Sequence, residues 1–589
     1  MILRNFLAAA LLVLGAAPVL AQLPVVSGER ALAPKARPAG VLRLPAGTPV
    51  VRANLAAVTA AEIASVRAAN DRDTTKTSAR RVVVGVVRST EVAPEVIATA
   101  ATMRWAPVAG GYAAQVAVTS PDAGSMRLSV DLAGAADEIE MVFFGSGIPS
   151  RIEGPVRVSD IPDRTTAWWS PLTEGDTQTV EFFVPAKYDP ARLDLRVLRA
   201  SHVFSTPSSH FTKRIADIGS SGSCEVDIAC SSLNSDPAFQ NAQASVAQMV
   251  FNDANFVVLC SGSLLADGDN STQVPWFYSA NHCFDNESAP YKTSTQMQQV
   301  ANTLSTLWDF QAATCGSQSP SSTWQQVYGG ATYIYSNPQN DVLMVRLNSQ
   351  PPAGAFFSGW DANAPSRNQT VYSIHHPQGD LKKVSRGSIV GFGSPGVAGG
   401  SNSFIEVLWN SGTTEPGSSG GGLWTNANGQ YYLRGGLWGG TALCTNTTGT
   451  DNFSRFDQAY SQLAPYLGPA ISPAYDFTDL WWNPNESGWG LNIVQHASRV
   501  IFAVWYTYES DGTRIWYIIP NGTWTNSMTY TGALYVTTGP SYTKAFDPNQ
   551  VAVRQVGSAT LSFSSQGTGT FAYSVDGVSG TKSMQRQPY

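Results

Sequence analysis

Residues 412–422 read Gly-Thr-Thr-Glu-Pro-Gly-Ser-Ser-Gly-Gly-Gly, a pair of serines framed by glycines. Glycine lets main-chain N–H groups come close to a bound atom, because it has no Cβ in the way. A loop of this kind can hold an oxyanion beside Ser419. Taken alone, such a run is more typical of a flexible connector, so its interpretation depends on what precedes it.

Two upstream residues offer a base and an acid to that serine. His282, one of six histidines, ends an aromatic and small-residue run. Asp341 opens the apolar run 342–347, where a buried carboxylate needs a partner such as an imidazole. The order His282, Asp341, Ser419 is that of the chymotrypsin triad. It predicts that the histidine takes the serine proton while the aspartate orients the imidazole.

Several segments together resemble the bacterial lysyl endopeptidases, secreted trypsin-like serine proteases of the chymotrypsin fold. They are Ser-Ala-Asn-His-Cys at 279–283, Asn-Asp-Val-Leu-Met-Val-Arg-Leu at 340–347 and Thr-Glu-Pro-Gly-Ser-Ser-Gly at 414–420, with shorter matches at 222–224, 260–264 and 374–377. The resemblance covers residues 219–467. It implies a mainly β chain with a double β-barrel there, an oxyanion hole formed by the N–H groups of Gly417 and Ser419, and no cofactor.

The composition fits an exported protein of several domains. A chain of 589 residues exceeds the roughly 250–300 residues at which single cores stop growing. Charged residues make up 14%, against about 25% in typical soluble domains. The net charge of −6, without long Lys/Arg runs, argues against nucleic-acid binding. We expect a monomer that acts on proteins or peptides.

Residues 1–21 are typical of a signal peptide. Arg4 supplies the positive charge, residues 6–13 the apolar segment and residues 19–21 a small-residue site before Gln22. A membrane anchor is the alternative, but the apolar run is too short to span and no later segment reaches 18 consecutive apolar residues. The sequence therefore predicts secretion through the periplasm, without a membrane span.

All six cysteines lie within 219–467, and in an exported chain they should form disulfides. Six cysteines allow 15 pairings. A zinc site is disfavoured because no close Cys-x-x-Cys pair accompanies the histidines, so we predict no metal there. The run 267–270 is rich in oxygen ligands and leaves calcium open, although a polar hairpin tip is the simpler interpretation. The resemblance implies the pairs Cys224–Cys444, Cys230–Cys315 and Cys260–Cys283.

Residues 22–218 are interpreted as a pro-region. A helix is predicted at 60–70 and a strand at 82–87, and alternating strands predict a β-sandwich at about 103–204. The resemblance implies that this segment assists folding and keeps the protease silent; a separate accessory domain is the alternative. Removal is expected within 213–219. Self-cleavage before Gly219 is in doubt because Ile218, not lysine, precedes it.

A Gly/Pro linker at 468–474 leads to an all-β unit at 475–589, which has no cysteine and carries six of the sixteen tryptophans. Aromatic strands at 502–508 and 513–519 are joined through an Asp-Gly hairpin at 511–512. Exposed tryptophans could stack on a polysaccharide or another cell-surface ligand. The simpler interpretation places most of them in the core.

The carboxylate expected to select the substrate side chain does not stand at the sequence position that trypsins use. Thr413 stands six residues before Ser419, where trypsins carry their pocket aspartate. The resemblance instead matches Asp451 to the family's lysine-recognising aspartate, which would bind a substrate ammonium group. A solvated loop aspartate is the alternative. We expect Trp438 and Gly439 to border the pocket and to pair with the substrate backbone.

The sequence thus predicts a secreted serine endopeptidase that forms an acyl-enzyme and prefers lysine before the scissile bond. One alternative is the same enzyme with another specificity. The other is a secreted binding or adhesion protein whose protease domain is inert.

Overall fold

The computed structural model describes residues 23–32, 40–45, 47–70, 78–79, 81–89, 96–207, 220–269, 272–285, 290–394, 402–468, 473–496, 500–520, 522–547 and 550–588. The predicted signal peptide, the expected cleavage region at 213–219 and the centre of the predicted linker lie outside these residues. The chain forms two compact units, residues 1–467 and 468–589.

The first unit is mainly β with a few short helices, as predicted. Its α-helices are Ala60–Asn70, Pro237–Ala244, Asn281–Phe284, Ser294–Ala301 and Phe456–Leu467. Its 3₁₀ turns are Ala100–Thr102, Val158–Asp160, Pro190–Arg192, Ile228–Cys230, Ser232–Ser235 and Pro377–Gly379. Among the described residues, no helix is both long and apolar enough to cross a membrane.

The N-terminal part packs two sheets around one core. Its strands are Val25–Val26, Glu29–Arg30, Val51–Asn54, Ser78–Ala79, Val82–Arg88, Ala98–Thr99, Ala106–Val108, Gly111–Thr119, Ser125–Gly134, Glu140–Gly145, Glu153–Arg157, Trp168–Trp169, Thr173–Glu174, Thr177–Pro185 and Asp194–Val203. Alternating residues such as Val116 and Phe182 on one sheet meet Leu128 and Val130 on the other, all fully buried. The alternation that predicted these strands is the pattern of one buried face.

Residues 220–467 fold as two β-barrels. The first contains Val246–Asp253, Phe256–Leu265, Trp276–Ser279, Ser305–Trp308, Gln325–Val327, Ala331–Asn337 and Val342–Leu347. The second contains Thr370–His375, Lys383–Gly393, Phe404–Ser411, Gly422–Ala427, Gln430–Gly440 and Thr450–Ser454, and Val226–Asp227, Phe356–Phe357 and Gly359–Asp361 are accessory strands. The second barrel closes because Thr450–Ser454 pairs with both Phe404–Ser411 and Gln430–Gly440. This is the expected chymotrypsin-like arrangement.

One strand joins the N-terminal part to the first barrel. Val82–Arg88 pairs on one side with residues 200–203 and on the other with Phe256–Leu259. The buried valines of this strand belong to the core of the first barrel. A single sheet therefore contains strands from both sides of the predicted boundary at 218/219.

The second unit is one antiparallel sheet of nine strands. They are Asp479–Trp482, Gly490–Gln495, Ile501–Tyr508, Arg514–Ile519, Thr523–Asn526, Thr529–Thr538, Ala552–Phe563, Thr568–Val575 and Val578–Arg586. The sheet closes through the bridge between Ile518 and Tyr535. Trp481 and Trp505 are buried in its core, and Trp516 is 52% exposed. The other three tryptophans are half-buried, so the core interpretation holds for most of the six.

The six cysteines form three disulfides, in the pairing that the resemblance implies: Cys224–Cys444, Cys230–Cys315 and Cys260–Cys283. The third joins strand Phe256–Leu265 to the short helix that carries His282. The oxygen-rich run closes as a polar turn, in which Asp267 accepts hydrogen bonds from Asp269 N and Thr272 Oγ1. No cluster of potential metal ligands occurs among the described residues.

Candidate active site

His282 and Asp341 form a buried pair at the rim of the first barrel. His282 lies in helix Asn281–Phe284, directly after strand Trp276–Ser279. Its Nδ1 lies 2.8 Å from Asp341 Oδ2, and its backbone N–H donates to Asp341 Oδ1 at 2.9 Å. The two side chains are 2% and 1% exposed. With Nδ1 as the donor, Nε2 is left as an acceptor, and Nε2 has no hydrogen-bond partner among the described residues.

Asp341 has the left-handed backbone conformation, with φ of 54°. Such a conformation is strained for a non-glycine residue and is typical of functional positions. Its carbonyl accepts from Asn281 N at 3.2 Å, so main chain and side chain both hold the histidine helix. These bonds fix the orientation of the imidazole.

The Ser419 loop connects strands of the second barrel and is seated on the first. Ser261 N donates to the Ser419 carbonyl at 2.8 Å, and Ser261 Oγ donates to the Gly417 carbonyl at 3.1 Å. Gly417 has φ of 91°, and a Cβ there would lie 3.1 Å from His376 O. Gly420 has φ of 76°, and a Cβ there would lie 2.1 Å from Ser279 Oγ. Only glycine meets both requirements, so this run is a tightly packed turn and not a linker.

A neutral histidine supports the loop from behind. His375 Nδ1 lies 2.8 Å from Ser418 Oγ, and its Nε2 lies 3.2 Å from Ser385 Oγ. Burial, with a smaller contribution from Lys383, lowers the pKa of His375 to about 3. The loop is thus held by neutral hydrogen bonds, without an ion pair at Ser418.

A pocket runs from Ser419 to a buried carboxylate. Asp451 is 1% exposed, and its Oδ2 accepts from Trp409 Nε1 at 2.6 Å and from Thr414 Oγ1 at 2.7 Å. These two donors hold the carboxylate in place. The pocket is lined by Thr414, Glu415, Pro416, Ser419, Leu437, Gly439, Gly440, Ala442, Leu443 and Asp451.

Comparisons with known proteins identify relatives of this chain. The model of the lysyl endopeptidase C-terminal domain matches residues 218–454, and that of the lysyl endopeptidase N-terminal domain matches residues 54–204. A lysyl endopeptidase of Pseudomonas aeruginosa is 34% identical over 391 residues, which cover 64% of this chain and 79% of that protein. The chain belongs to the lysyl endopeptidase family.

Solved structures of proteases from other bacteria are also similar. The Rv3671c protease of M. tuberculosis in its inactive form is 15% identical, with a TM-score of 0.25, over 39% of this chain and 92% of that one. The MamO protease domain of Magnetospirillum magneticum is 11% identical, with a TM-score of 0.26, over 38% of this chain and 98% of that one.

Two residues expected to border the substrate-binding pocket do not line the cavity that Ser419 and Asp451 share. Trp438 packs on Phe404 with ring centroids 5.7 Å apart, because successive residues of a strand point to opposite faces, and its neighbours Leu437 and Gly439 face the pocket. Thr413 is buried, and its carbonyl accepts from Ser385 Oγ. Gly439 and Asp451 do line this cavity, and their role in binding substrate stays a prediction.

Glu415 is a pocket residue that sequence reasoning missed. Its two carboxylate oxygens accept from Gly222 N at 3.2 and 3.0 Å, and burial raises the pKa of this side chain. A charged residue four positions before Ser419, inside a glycine-rich loop, was the available signal. The pocket of this lysyl endopeptidase relative therefore contains two carboxyl groups.

The N-terminal part reaches across this site. Ser78 and Ala79 pair in antiparallel register with Gly440 and Gly439, which border the pocket. Two residues further on, Arg81 Nη1 lies 2.7 Å from Asp253 Oδ2 and 3.0 Å from the Cys283 carbonyl. Residues 78–79 thus contact the pocket border, and the Arg81 side chain contacts the helix that carries His282.

Proposed function

We propose that this protein is a secreted serine endopeptidase that cleaves after lysine. The observation that supports this most strongly is one pocket whose wall includes both Ser419 and the buried Asp451. The oriented His282–Asp341 pair supports the serine mechanism, and membership of the lysyl endopeptidase family supports the substrate class. Three disulfides agree with an oxidising destination outside the cytoplasm.

In this mechanism Ser419 Oγ attacks the scissile carbonyl carbon while its proton passes to His282 Nε2. The new C–O bond creates a tetrahedral oxyanion, which receives hydrogen bonds from the N–H groups of Gly417 and Ser419. The C–N bond then breaks, and the departing amine takes the proton from the imidazolium. Water, deprotonated by the same imidazole, releases the acyl group and restores Ser419. Asp341 stabilises the imidazolium throughout.

Lysine recognition follows from charge and burial. A substrate ammonium entering the pocket would leave water and would need an anionic partner. Asp451 offers a carboxylate that two donors keep in place, so a charge-assisted hydrogen bond can form without reorganisation. Glu415 adds a second acceptor on the pocket wall.

Digestion of a denatured protein mixture tests the proposal. We expect the processed enzyme to generate new termini predominantly after lysine, and the Ser419→Ala variant to generate none. Cleavage that depends on Ser419 but occurs after other residues would contradict the lysine assignment. Absence of Ser419-dependent cleavage would favour a binding or adhesion protein with an inert protease domain.

We further propose that residues 22–218 act as an inhibitory pro-region. The pairing of 78–79 with Gly439 and Gly440 supports this, because a strand there competes with the backbone of a substrate for the same edge. The His282–Asp341 pair and the glycine-rich loop are already formed in the uncut chain. The uncut chain would then be inactive because the pro-region occupies the substrate cleft, and not because the catalytic residues are disordered.

The Arg81→Ala variant of the uncut chain should react faster with a fluorophosphonate probe, by tenfold or more. Arg81 is 9% exposed in its pair with Asp253, and its loss weakens the crossing segment where it passes the His282 helix. The measurement is the labelling rate of the full-length band. Arg196→Ala, which removes a more exposed pair with Asp131, is the matched control and should leave the rate unchanged.

Ala79→Pro provides a second test, because proline has no N–H and its ring disfavours close backbone pairing of this two-residue edge strand with Gly439. It should raise the labelling rate as well. Both enzymes, once processed, should equal the wild type because the substituted segment is gone. Equal labelling of all uncut chains would refute inhibition by this segment while leaving the peptidase proposal intact.

A further inference from the structure

The C-terminal unit carries apolar side chains on both faces of three adjacent strands. In Gly490–Gln495, Ile501–Tyr508 and Arg514–Ile519, one set of alternate residues, including Ile493, Trp505 and Tyr517, fills the core. The other set points outward. A sheet with one solvated face normally carries polar side chains there.

The outward set is dominated by exposed aromatic rings. Phe502, Tyr506, Tyr508 and Trp516 are 43%, 50%, 54% and 52% exposed, and Val494 is 47% exposed. The register places Tyr506 opposite Trp516 and Val494 opposite Phe502. We call these five residues the aromatic face. Neighbouring strands lie about 4.8 Å apart, so the rings form one continuous surface.

The extent of the aromatic face suits a ligand smaller than a second copy of the chain. Four half-exposed aromatic side chains offer roughly 400 Å², since each such residue can bury 150–250 Å². A stable protein interface needs about 800 Å² from each partner. The largest apolar patch of a typical monomer is about this size and is often functional.

The charge of the aromatic face selects the chemistry of the ligand. Among the outward side chains of these three described strands, Arg514 at one end is the single charged group. Surfaces that bind anionic membranes or nucleic acids carry several lysines or arginines. The tyrosine hydroxyls and the amide of Asn492 instead supply neutral hydrogen-bonding groups beside the rings.

We propose that the aromatic face binds a neutral polysaccharide whose sugar rings stack on Tyr506, Tyr508, Phe502 and Trp516. A pyranose ring with equatorial hydroxyls presents C–H groups above and below and hydroxyls around its edge. The aromatic face offers the complementary arrangement of flat apolar rings and neutral polar groups. The unit would then hold the chain at a glycan surface, an activity separate from peptide hydrolysis.

Sedimentation with insoluble glycans tests this inference. The full-length chain with Ser419→Ala, which cannot digest itself, is mixed with microcrystalline cellulose or with chitin, and the bound fraction is measured. We expect binding to at least one of the two glycans, and we expect that binding to persist in about 0.5 M salt. Salt at this concentration screens attraction between charges but not the stacking of sugars on aromatic rings. Trp516→Ala and Tyr506→Ala should each reduce the affinity at least tenfold.

Tyr542→Ala is the matched control, because Tyr542 is 99% exposed in the same unit but lies outside the three strands. It should bind like the parent chain, and circular dichroism should show all variants folded. Equal binding by Trp516→Ala would overturn the inference. So would failure to bind either glycan, or concentration-dependent dimerisation that Trp516→Ala abolishes. None of these results depends on whether the chain cleaves after lysine.

Discussion

Asp341→Asn should lower kcat of the processed enzyme by about 10⁴-fold with little change in KM, as the same change does in the chymotrypsin triad. Asparagine matches aspartate in size, and its Oδ1 can still accept from the His282 backbone N–H. Its amide N–H₂ then faces Nδ1 and forces that atom to accept. Nε2 must carry the proton and can no longer take one from Ser419.

The measurement is kcat and KM on a lysyl peptide amide, with fluorophosphonate labelling of Ser419 as a second readout. Asp267→Asn is the control, because Asp267 is also buried but holds only a local turn. It should leave kcat unchanged. A loss of less than tenfold in Asp341→Asn would show that another group orients the imidazole.

Asp451→Asn should remove the preference for lysine. Leaving one partner of a buried ion pair without its counter-charge costs about 3–5 kcal/mol, which corresponds to a loss of roughly 150- to 4,000-fold in kcat/KM. Asparagine can still accept from Trp409 Nε1 and Thr414 Oγ1 through its amide oxygen. The pocket should therefore keep its shape and lose only its charge.

Two peptides that differ only in lysine or norleucine before the scissile bond give the required comparison. In Asp451→Asn, kcat/KM for the lysine peptide should fall by the factor given in the preceding paragraph. The kcat/KM for the norleucine peptide should stay about the same. Glu415→Gln is the matched variant on the same pocket wall. If Glu415→Gln abolishes the preference for lysine and Asp451→Asn does not, then Glu415, and not Asp451, is the carboxylate that recognises lysine.

The His282–Asp341 pair and the tight turn at Ser419 were largely predictable because each stands in a local motif. His282 precedes a cysteine, Asp341 heads an apolar strand, and the glycines around Ser419 have conformations that other residues avoid. The packing of this site is equally local. Short contacts at Gly417 and Gly420 explain why the run is so rich in glycine.

What the sequence could not predict depends on which way side chains point and on pairings between distant segments. Trp438 was expected at the pocket, but strand alternation turns it toward Phe404. Glu415 was overlooked because a charged residue in a polar loop is usually solvated, and its position inside the glycine-rich run was the only local signal of burial. The aromatic face could not be predicted because aromatic residues occur on both faces of these strands. The sequence therefore lacks the apolar–polar alternation that distinguishes a buried face from an exposed one.

The pairing of Val82–Arg88 with Phe256–Leu259 was also beyond prediction, because no local pattern specifies a partner strand so far away. The strand itself was predicted correctly, and so was the helix Ala60–Asn70. Local propensity determines such elements, whereas long-range register depends on the whole fold.

The same pairing has a consequence for the enzyme after maturation. When the proposed pro-region leaves, Phe256–Leu259 changes from an interior strand to an edge, with its N–H and C=O groups newly open on that side. This edge leads through Cys260 and its disulfide to the helix of His282. Maturation would thus expose a strand edge at which an extended polypeptide can pair beside the helix of His282.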